Sequence, residues 1–161
     1  MLDIKLLVVL GEGGHTAELL NLVSLLGGKY RYHYIMPKDD NLSSKKITIP
    51  GPVHRLYRAR EKNTKFIDAC IKTLIDGIKS FWIILRIKPD AILSCGPAIA
   101  VPVSIAGKIL GKRVIFVETG SRVNYLSLTG RIMYHYADLF FVQWPQLKKK
   151  LPRAIYAGRL I

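Results

Sequence analysis

The sequence predicts an α/β fold built on a parallel sheet, on three observations. Short apolar runs too continuous for one-sided strands recur along the chain, as strands buried on both faces do. Segments with apolar residues at helical spacing lie between them. Glycine or proline stands at most of the joins. Strand and helix alternating in this way give a parallel sheet with helices on both of its faces.

Taken in order, the first strand is the run Ile4–Leu10, followed by the turn Gly11-Glu12-Gly13-Gly14-His15-Thr16. A helix then carries the stripe Leu19, Leu22, Val23 and Leu26. The second strand, near Tyr30–Met36, is closed by Pro37, and the polar stretch Lys38–Lys46 reads as a mobile loop;. Extended pieces are expected at Ile47–Ile49 and Val53–Tyr57. Lys62–Ile87 reads as a long helix with the core stripe Ile67, Ile71, Leu74, Ile78, Phe81 and Leu85, and with Lys65, Asp68, Lys72, Asp76 and Lys79 facing water;. Pro89 ends it. Ala91–Ser94 is the next strand, Gly96-Pro97 its turn, and Ala98–Leu110 a helix stopped by Gly111. Val114–Val117 is a strand leading into Glu118-Thr119-Gly120-Ser121-Arg122. Thr129 is placed to cap a helix reaching Tyr136; strand Leu139–Val142, helix Pro145–Lys150 and strand Ala154–Tyr156 complete the chain.

Length and composition narrow the function. A chain of 161 residues is expected to form one domain, 1–161, with a real core;. Its formal charge of +14 calls for an anionic partner: nucleic acid, an anionic membrane or a phosphorylated substrate;. Half the residues are hydrophobic and mean hydropathy is +0.21, which excludes disorder and suits a membrane surface better than a nucleic-acid module;. The longest uncharged stretch, Ala91–Gly107, is broken by Gly96, Pro97 and Pro102 and does not read as a membrane span;. No secretory signal precedes the first strand. Cys70 and Cys95 form no motif and are read as reduced, which suits the cytosol;. His15, His33, His54 and His135 lack ligand spacing and Asp39-Asp40 is unconvincing, so neither metal nor cofactor is expected;.

Three loops converge on the carboxyl edge of the expected sheet, where open α/β folds bind ligands. Gly11, Gly13, Gly14 and Thr16 sit at a helix start, where free backbone N–H groups and the helix dipole favour a phosphate;. The turn is not a P-loop, and Thr16 replaces the third glycine of a dinucleotide fingerprint;. His15 adds a group able to move a proton near neutral pH. Gly96 and Pro97 belong to the second loop; Thr119, Ser121 and Arg122 to the third. Glu118 is either a loop-holding acid or a base, and Arg122 either pairs with it or contacts phosphate. Two further surfaces stand out. Arg55, Arg58, Arg60, Lys62 and Lys65 precede an apolar helix end, Phe81-Trp82-Ile83-Ile84-Leu85, as a membrane-binding surface would, although a buried helix with a solvated start fits too;. The chain also ends apolar, so Trp144, Tyr156, Gly158, Leu160 and Ile161 are candidates for partner docking, the alternative being a last strand that completes the sheet;.

Three stretches resemble a known family: Gly11–Glu18, Glu118–Val123 and the run Ser127–Leu147, with Tyr156–Leu160 fitting as well. The chain is similar along its length to asparagine-linked-glycosylation family number fourteen and its bacterial PssD-like counterparts, within the wider MurG-like group. Gln143-Trp144-Pro145-Gln146 is the most specific part. The resemblance implies a GT-B glycosyltransferase divided between two chains, with this one as its amino-terminal, Rossmann-like lobe. It implies a polyprenyl- or dolichyl-diphosphate-linked sugar as acceptor, a UDP-sugar donor (UDP-N-acetylglucosamine foremost) held mainly by a catalytic partner subunit, and work at the cytoplasmic face of a membrane. Eukaryotic members begin with a membrane anchor; none is seen here, so a peripheral, prokaryotic-type or trimmed form is expected. His15 is then the leading general base and Glu118 the second. Two other readings stay open: a basic nucleic-acid-binding domain, suggested by charge and by Tyr30-Arg31-Tyr32-His33-Tyr34, and a stand-alone nucleotide-dependent enzyme using Gly11–Thr16;.

Overall fold

A computed structural model describes residues 3–57 and 66–160. Arg58, Arg60, Lys62, Lys65 and Ile161 lie outside the described residues, as does the side chain of Cys70. The strands are β1 (Lys5–Val9), β2 (Arg31–Pro37), β3 (Val53–Leu56), β4 (Ala91–Cys95), β5 (Arg113–Val117), β6 (Leu139–Val142) and β7 (Ile155–Tyr156). The helices are α1 (Gly14–Leu26), α2 (Phe66–Ile87), α3 (Ala100–Ile109), α4 (Leu128–Tyr136) and α5 (Pro145–Lys150). The strands form one sheet in the order β3-β2-β1-β4-β5-β6-β7, and every neighbouring pair is parallel. This is a Rossmann-like order. The chain reverses direction across the sheet between β1 and β4, which opens a crevice at their carboxyl ends.

Alternation along each strand divides the core. Leu7, Val9, Ile35, Ile92, Val114 and Phe116 pack with α2, α3, α4 and α5 through Ile84, Val103, Met133 and Leu147. Leu6, Val8, Tyr32, Tyr34, Leu93 and Val117 pack with α1 through Leu19, Leu20 and Val23. The expected helices on both faces are therefore present, four α-helices on one side and one on the other among the described residues. Tyr32 and Tyr34 are buried under α1, so the aromatic–basic run on β2 is not an exposed stacking platform for bases. Beside α1 the sheet is left partly open. A groove of about 510 Å³ runs over β4, β5 and β6 there, lined by Leu22, Leu93, Ile115, Phe141 and Leu160 among others.

Four expectations need correction. Ile47–Ile49 forms no strand; Ile47 and Ile49 instead pack against the α1-side core, and the Ile49 carbonyl accepts the Tyr34 hydroxyl. The Lys38–Lys46 loop is tied down: Asp40 Oδ1 accepts the amides of Leu42 and Ser43, and the Ser43 hydroxyl donates to Thr16 Oγ1. Ser127, not Thr129, caps α4, accepting the Gly130 amide at 2.8 Å. The largest difference is in α2. Its supposed core stripe faces out, with Ile67, Ile71, Leu74 and Ile78 each more than half exposed. The buried face is Asp76, Ser80, Ile84 and Ile87.

The helix carries apolar residues on more than one side, and its period alone does not say which side meets the protein. α2 lies mainly on α3, and the two polar residues of its buried face are hydrogen-bonded, Asp76 through Oδ1 alone. Asp76 Oδ1 accepts the Tyr57 amide at 2.9 Å, and the Ser80 hydroxyl donates to the Asp76 carbonyl. Burial raises the Asp76 pKa, opposed by that amide and by Lys79. Two substitutions test this assignment by urea unfolding. Ile84→Ala should cost about 2–5 kcal/mol, whereas Leu74→Ala should change stability by no more than about 0.5 kcal/mol; the opposite ranking would restore the outward stripe to the core.

Candidate functional site

The three loops do meet at the carboxyl edge, around the β1–β4 crevice. α1 begins at Gly14, with Gly13 preceding it at φ 56°, a conformation that favours glycine;. Nothing lies within 4 Å of where a Cβ would stand on Gly13 or Gly14, so the helix start opens onto free space. His15, half-buried, is the next residue of α1. Its ring lies against Gly96, where an added Cβ would come within 2.4 Å of Nδ1. Gly96 also has φ 74°. Gly11 similarly makes room for Pro97, which a Cβ on Gly11 would meet at 2.5 Å. Gly96 and Pro97 are thus buried and seat the first loop.

Thr16 is buried as well, its hydroxyl donating to the Gly11 carbonyl at 2.7 Å, so it shapes the turn from within. His15 Nδ1 is buried without a hydrogen-bond partner. Desolvation lowers the His15 pKa below its ordinary 6.5; Glu18 works against this and Arg122 with it. The ring is therefore neutral at neutral pH. Arg122 is exposed at the rim.

Beneath the surface stands a residue the sequence analysis placed only inside a motif. Glu18, 3% exposed, lies one turn after His15 on α1;. Its carboxylate accepts from the Thr119 hydroxyl (2.9 Å), the Cys95 thiol (3.1 Å), the Gln143 side-chain amide (3.1 Å) and the Gly120 backbone amide (3.2 Å). One group on α1 thus binds the end of β4 and the segments that follow β5 and β6. Burial, followed by Glu18, pushes the Cys95 thiol well above its ordinary range, so it is a proton donor here and not a nucleophile;.

Glu118 has a different place. It is fully buried, and its oxygens accept the Thr119 amide, the Ser127 amide and the Ser127 hydroxyl, each at 3.0–3.1 Å. A Cβ on Gly130 would stand 1.8 Å from Glu118 Oε2, so that glycine keeps the pocket free. Burial raises the Glu118 pKa, while these hydrogen bonds and Arg122 oppose the rise. Its bonds hold the loop to the start of α4. Thr119 and Ser121 face each other at 3.3 Å between their hydroxyls.

Trp144 is half-buried, donating from Nε1 to the Gly120 carbonyl at 2.6 Å, with the Arg159 guanidinium 4.6 Å from its ring centre. Tyr156 and Gly158 are exposed, and Leu160 packs on the α1-side core. Among the described residues no cluster of three or more His, Cys, Asp or Glu could hold a metal, and no helix is long and apolar enough to cross a membrane. The signal for Glu18 was its spacing of three from His15 on the same helix. Ser127, Gly130 and Gln143 stood only within the run that carries the family resemblance, with no role assigned to any of them.

Known proteins match both chain and fold. The family model described as "Oligosaccharide biosynthesis protein Alg14 like" matches residues 6–160. The rat protein named "UDP-N-acetylglucosamine transferase subunit ALG14" is 39% identical over 181 residues, covering 99% of this chain and 84% of that protein. The Yarrowia lipolytica protein of the same name is 31% identical, with 98% and 81% covered. Among solved structures, Acinetobacter baumannii MurG superimposes with a TM-score of 0.74 at 16% identity, covering 89% of this chain and 43% of that one. A Methanocaldococcus jannaschii UDP-GlcNAc 2-epimerase, in complex with UDP-GlcNAc and UDP, gives 0.74 at 16% identity, with 97% and 47% covered. The chain spans less than half the length of these solved chains, and the likeness to them is one of fold.

Glu18→Ala strips a buried acceptor from four donors. It should lower unfolding stability by roughly 2–5 kcal/mol, measured in urea, and Glu18→Gln should restore only part of the loss, because an amide offers one acceptor oxygen in place of two.

Proposed function

Because the chain belongs to the Alg14 family of oligosaccharide biosynthesis proteins, we propose that it is the acceptor-binding subunit of a two-chain glycosyltransferase. It is a transferase subunit of the UDP-N-acetylglucosamine type; residues 1–161 act as one lobe, and a partner supplies the other. In this reading the partner holds the UDP-sugar, and this lobe presents a sugar linked to a polyprenyl diphosphate. The observation that carries the reading is the open space at the start of α1, with a neutral, half-buried His15 as the next residue. The open space at Gly13 and Gly14 and the positive helix end suit the acceptor diphosphate;. Arg122, Thr119 and Ser121 lie on the adjoining loop.

The chemistry follows from that placement. The acceptor hydroxyl attacks the anomeric carbon of the donor sugar, the carbon–oxygen bond to UDP breaks, and His15 takes the hydroxyl proton. A base must be unprotonated to act, and desolvation keeps His15 so. Glu118, with both oxygens engaged in the fold, holds the loop. The carboxyl-terminal segment with Trp144, Tyr156, Gly158 and Leu160, together with Ile161, is the surface for the partner, and the apolar groove beside it supports that role;.

The outward stripe of α2 supports membrane recruitment, since exposed Ile71, Leu74, Ile78 and Trp82 sit on a strongly basic chain. Each lysine or arginine near an anionic bilayer adds about 1 kcal/mol, so a handful suffices for peripheral binding. In this reading the lobe works at the cytoplasmic face of the membrane, where the lipid-linked acceptor is reached without crossing the bilayer.

Co-expression with the partner subunit and an assay of transfer to a polyprenyl-diphosphate sugar test the proposal. His15→Ala should lower turnover by roughly 10²–10⁴. The wild-type acid limb of kcat/KM should lie below pH 6.5, because the His15 pKa is lowered, and His15→Ala should abolish that limb. Near-normal turnover in the variant would remove His15 from the reaction. Flotation with anionic vesicles tests recruitment. Leu74→Asp combined with Trp82→Asp should abolish binding, and salt should weaken the wild-type interaction; binding by the double variant equal to wild type would count against the α2 surface.

A further inference from the structure

Gln143 is 2% exposed and has hydrogen bonds at both ends of its side-chain amide. Its Oε1 accepts the Leu160 amide at 2.8 Å. Its Nε2 donates to Glu18 Oε2 and to the Glu118 carbonyl, each at 3.1 Å. The Leu160 carbonyl in turn accepts from Asn21 Nδ2 on α1. The terminal segment Ala157–Leu160, which borders the apolar groove, is therefore held by its own backbone at one residue. Only one side chain separates that residue from the carboxylate that binds Thr119 and Gly120.

We propose that Gln143 is a positioning residue: it transmits the placement of the carboxyl-terminal strap to Glu18 and the Thr119–Gly120 loop. Engagement of the strap by the donor-binding subunit then sets the acceptor site, a consequence that rests on the reading above. A buried amide suits the task. Its donor end needs an acceptor and its acceptor end a donor, so displacement at either end leaves a buried polar group unpaired. Shifting the strap moves the amide, and the amide moves one oxygen of Glu18. The other oxygen carries the Thr119 hydroxyl. The coupling acts through geometry; Gln143 need not touch the acceptor.

The test uses the full chain in complex with its partner. Leu160→Pro removes the N–H that Oε1 accepts, while Leu160→Ala shortens the side chain and keeps that N–H. Amide exchange at Gly120 should be about fivefold faster in Leu160→Pro than in Leu160→Ala, with α3 amides unchanged. The acceptor KM should rise by a similar factor while kcat holds. Gln143→Glu replaces the Nε2 donor with an acceptor facing Glu18, and it should speed Gly120 exchange as Leu160→Pro does. Equal Gly120 exchange in the two Leu160 variants overturns the link, whether or not the transferase reading stands. Faster exchange with an unmoved acceptor KM overturns the positioning role. A wild-type complex with no transfer activity counts against the proposed function alone, since amide exchange still decides the link.

Discussion

A carboxylate placed away from water must be surrounded by donors, or the fold loses more than it gains. Glu18 meets that demand with groups from the end of β4 and from the segments after β5 and β6, and the sheet edge depends on the result. Because α1 supplies the acceptor, the helix cannot rotate or slide without stranding a donor. His15 lies one turn earlier on the same rigid element. Its position over Gly96 is therefore set from below by Glu18 and from the side by the absence of a Cβ. A half-buried imidazole beside an open helix start gains from this kind of support, and the His15 role proposed above requires it, since loops alone leave such a group too loosely held.

Glu118 shows how the same residue type takes another role a few ångströms away. Both its oxygens serve the amides and hydroxyl that join β5 to α4, and Gly130 leaves it the volume it needs. The two carboxylates divide the work of the third loop. Glu18 fixes Thr119 and Gly120 from the α1 side, and Glu118 fixes Thr119 and Ser127 from the α4 side. Trp144 closes the arrangement through the Gly120 carbonyl. The Gly120 peptide is thus bonded at its amide by one element and at its carbonyl by another.

The uneven cover of the sheet accounts for the unusual composition. Among the described residues four α-helices shelter one face and one shelters the other, and an apolar groove remains over β4 to β6. On the far side, α2 turns a row of aliphatic side chains and a tryptophan outward. A chain that is half hydrophobic thus carries more apolar surface than its own core uses. Contiguous exposed apolar surface of this kind marks sites of association. The surplus lies in two separate places, one beside the carboxyl-terminal strap and one on the helix proposed to meet the membrane.

The sequence by itself determined the order of strands and helices, the parallel sheet and the meeting of three loops at one edge. Strands such as Leu6–Leu10 are buried on both faces, so their residues need only be apolar, and that is visible locally;. The glycine turn was legible for the same reason, since the conformation at Gly13 is a property of a few neighbouring residues. Burial on α2 was not. Apolar residues on several sides of a helix leave its inward face to be decided by what packs there, and α3 with the Tyr57 amide selected Asp76, Ser80 and Ile84. Only tertiary structure, likewise, joined Glu18 to Cys95, Thr119 and Gln143, the last of them 125 residues away. A buried carboxylate is satisfied by whichever donors the fold delivers to it, and no local pattern records donors that arrive from three other strands.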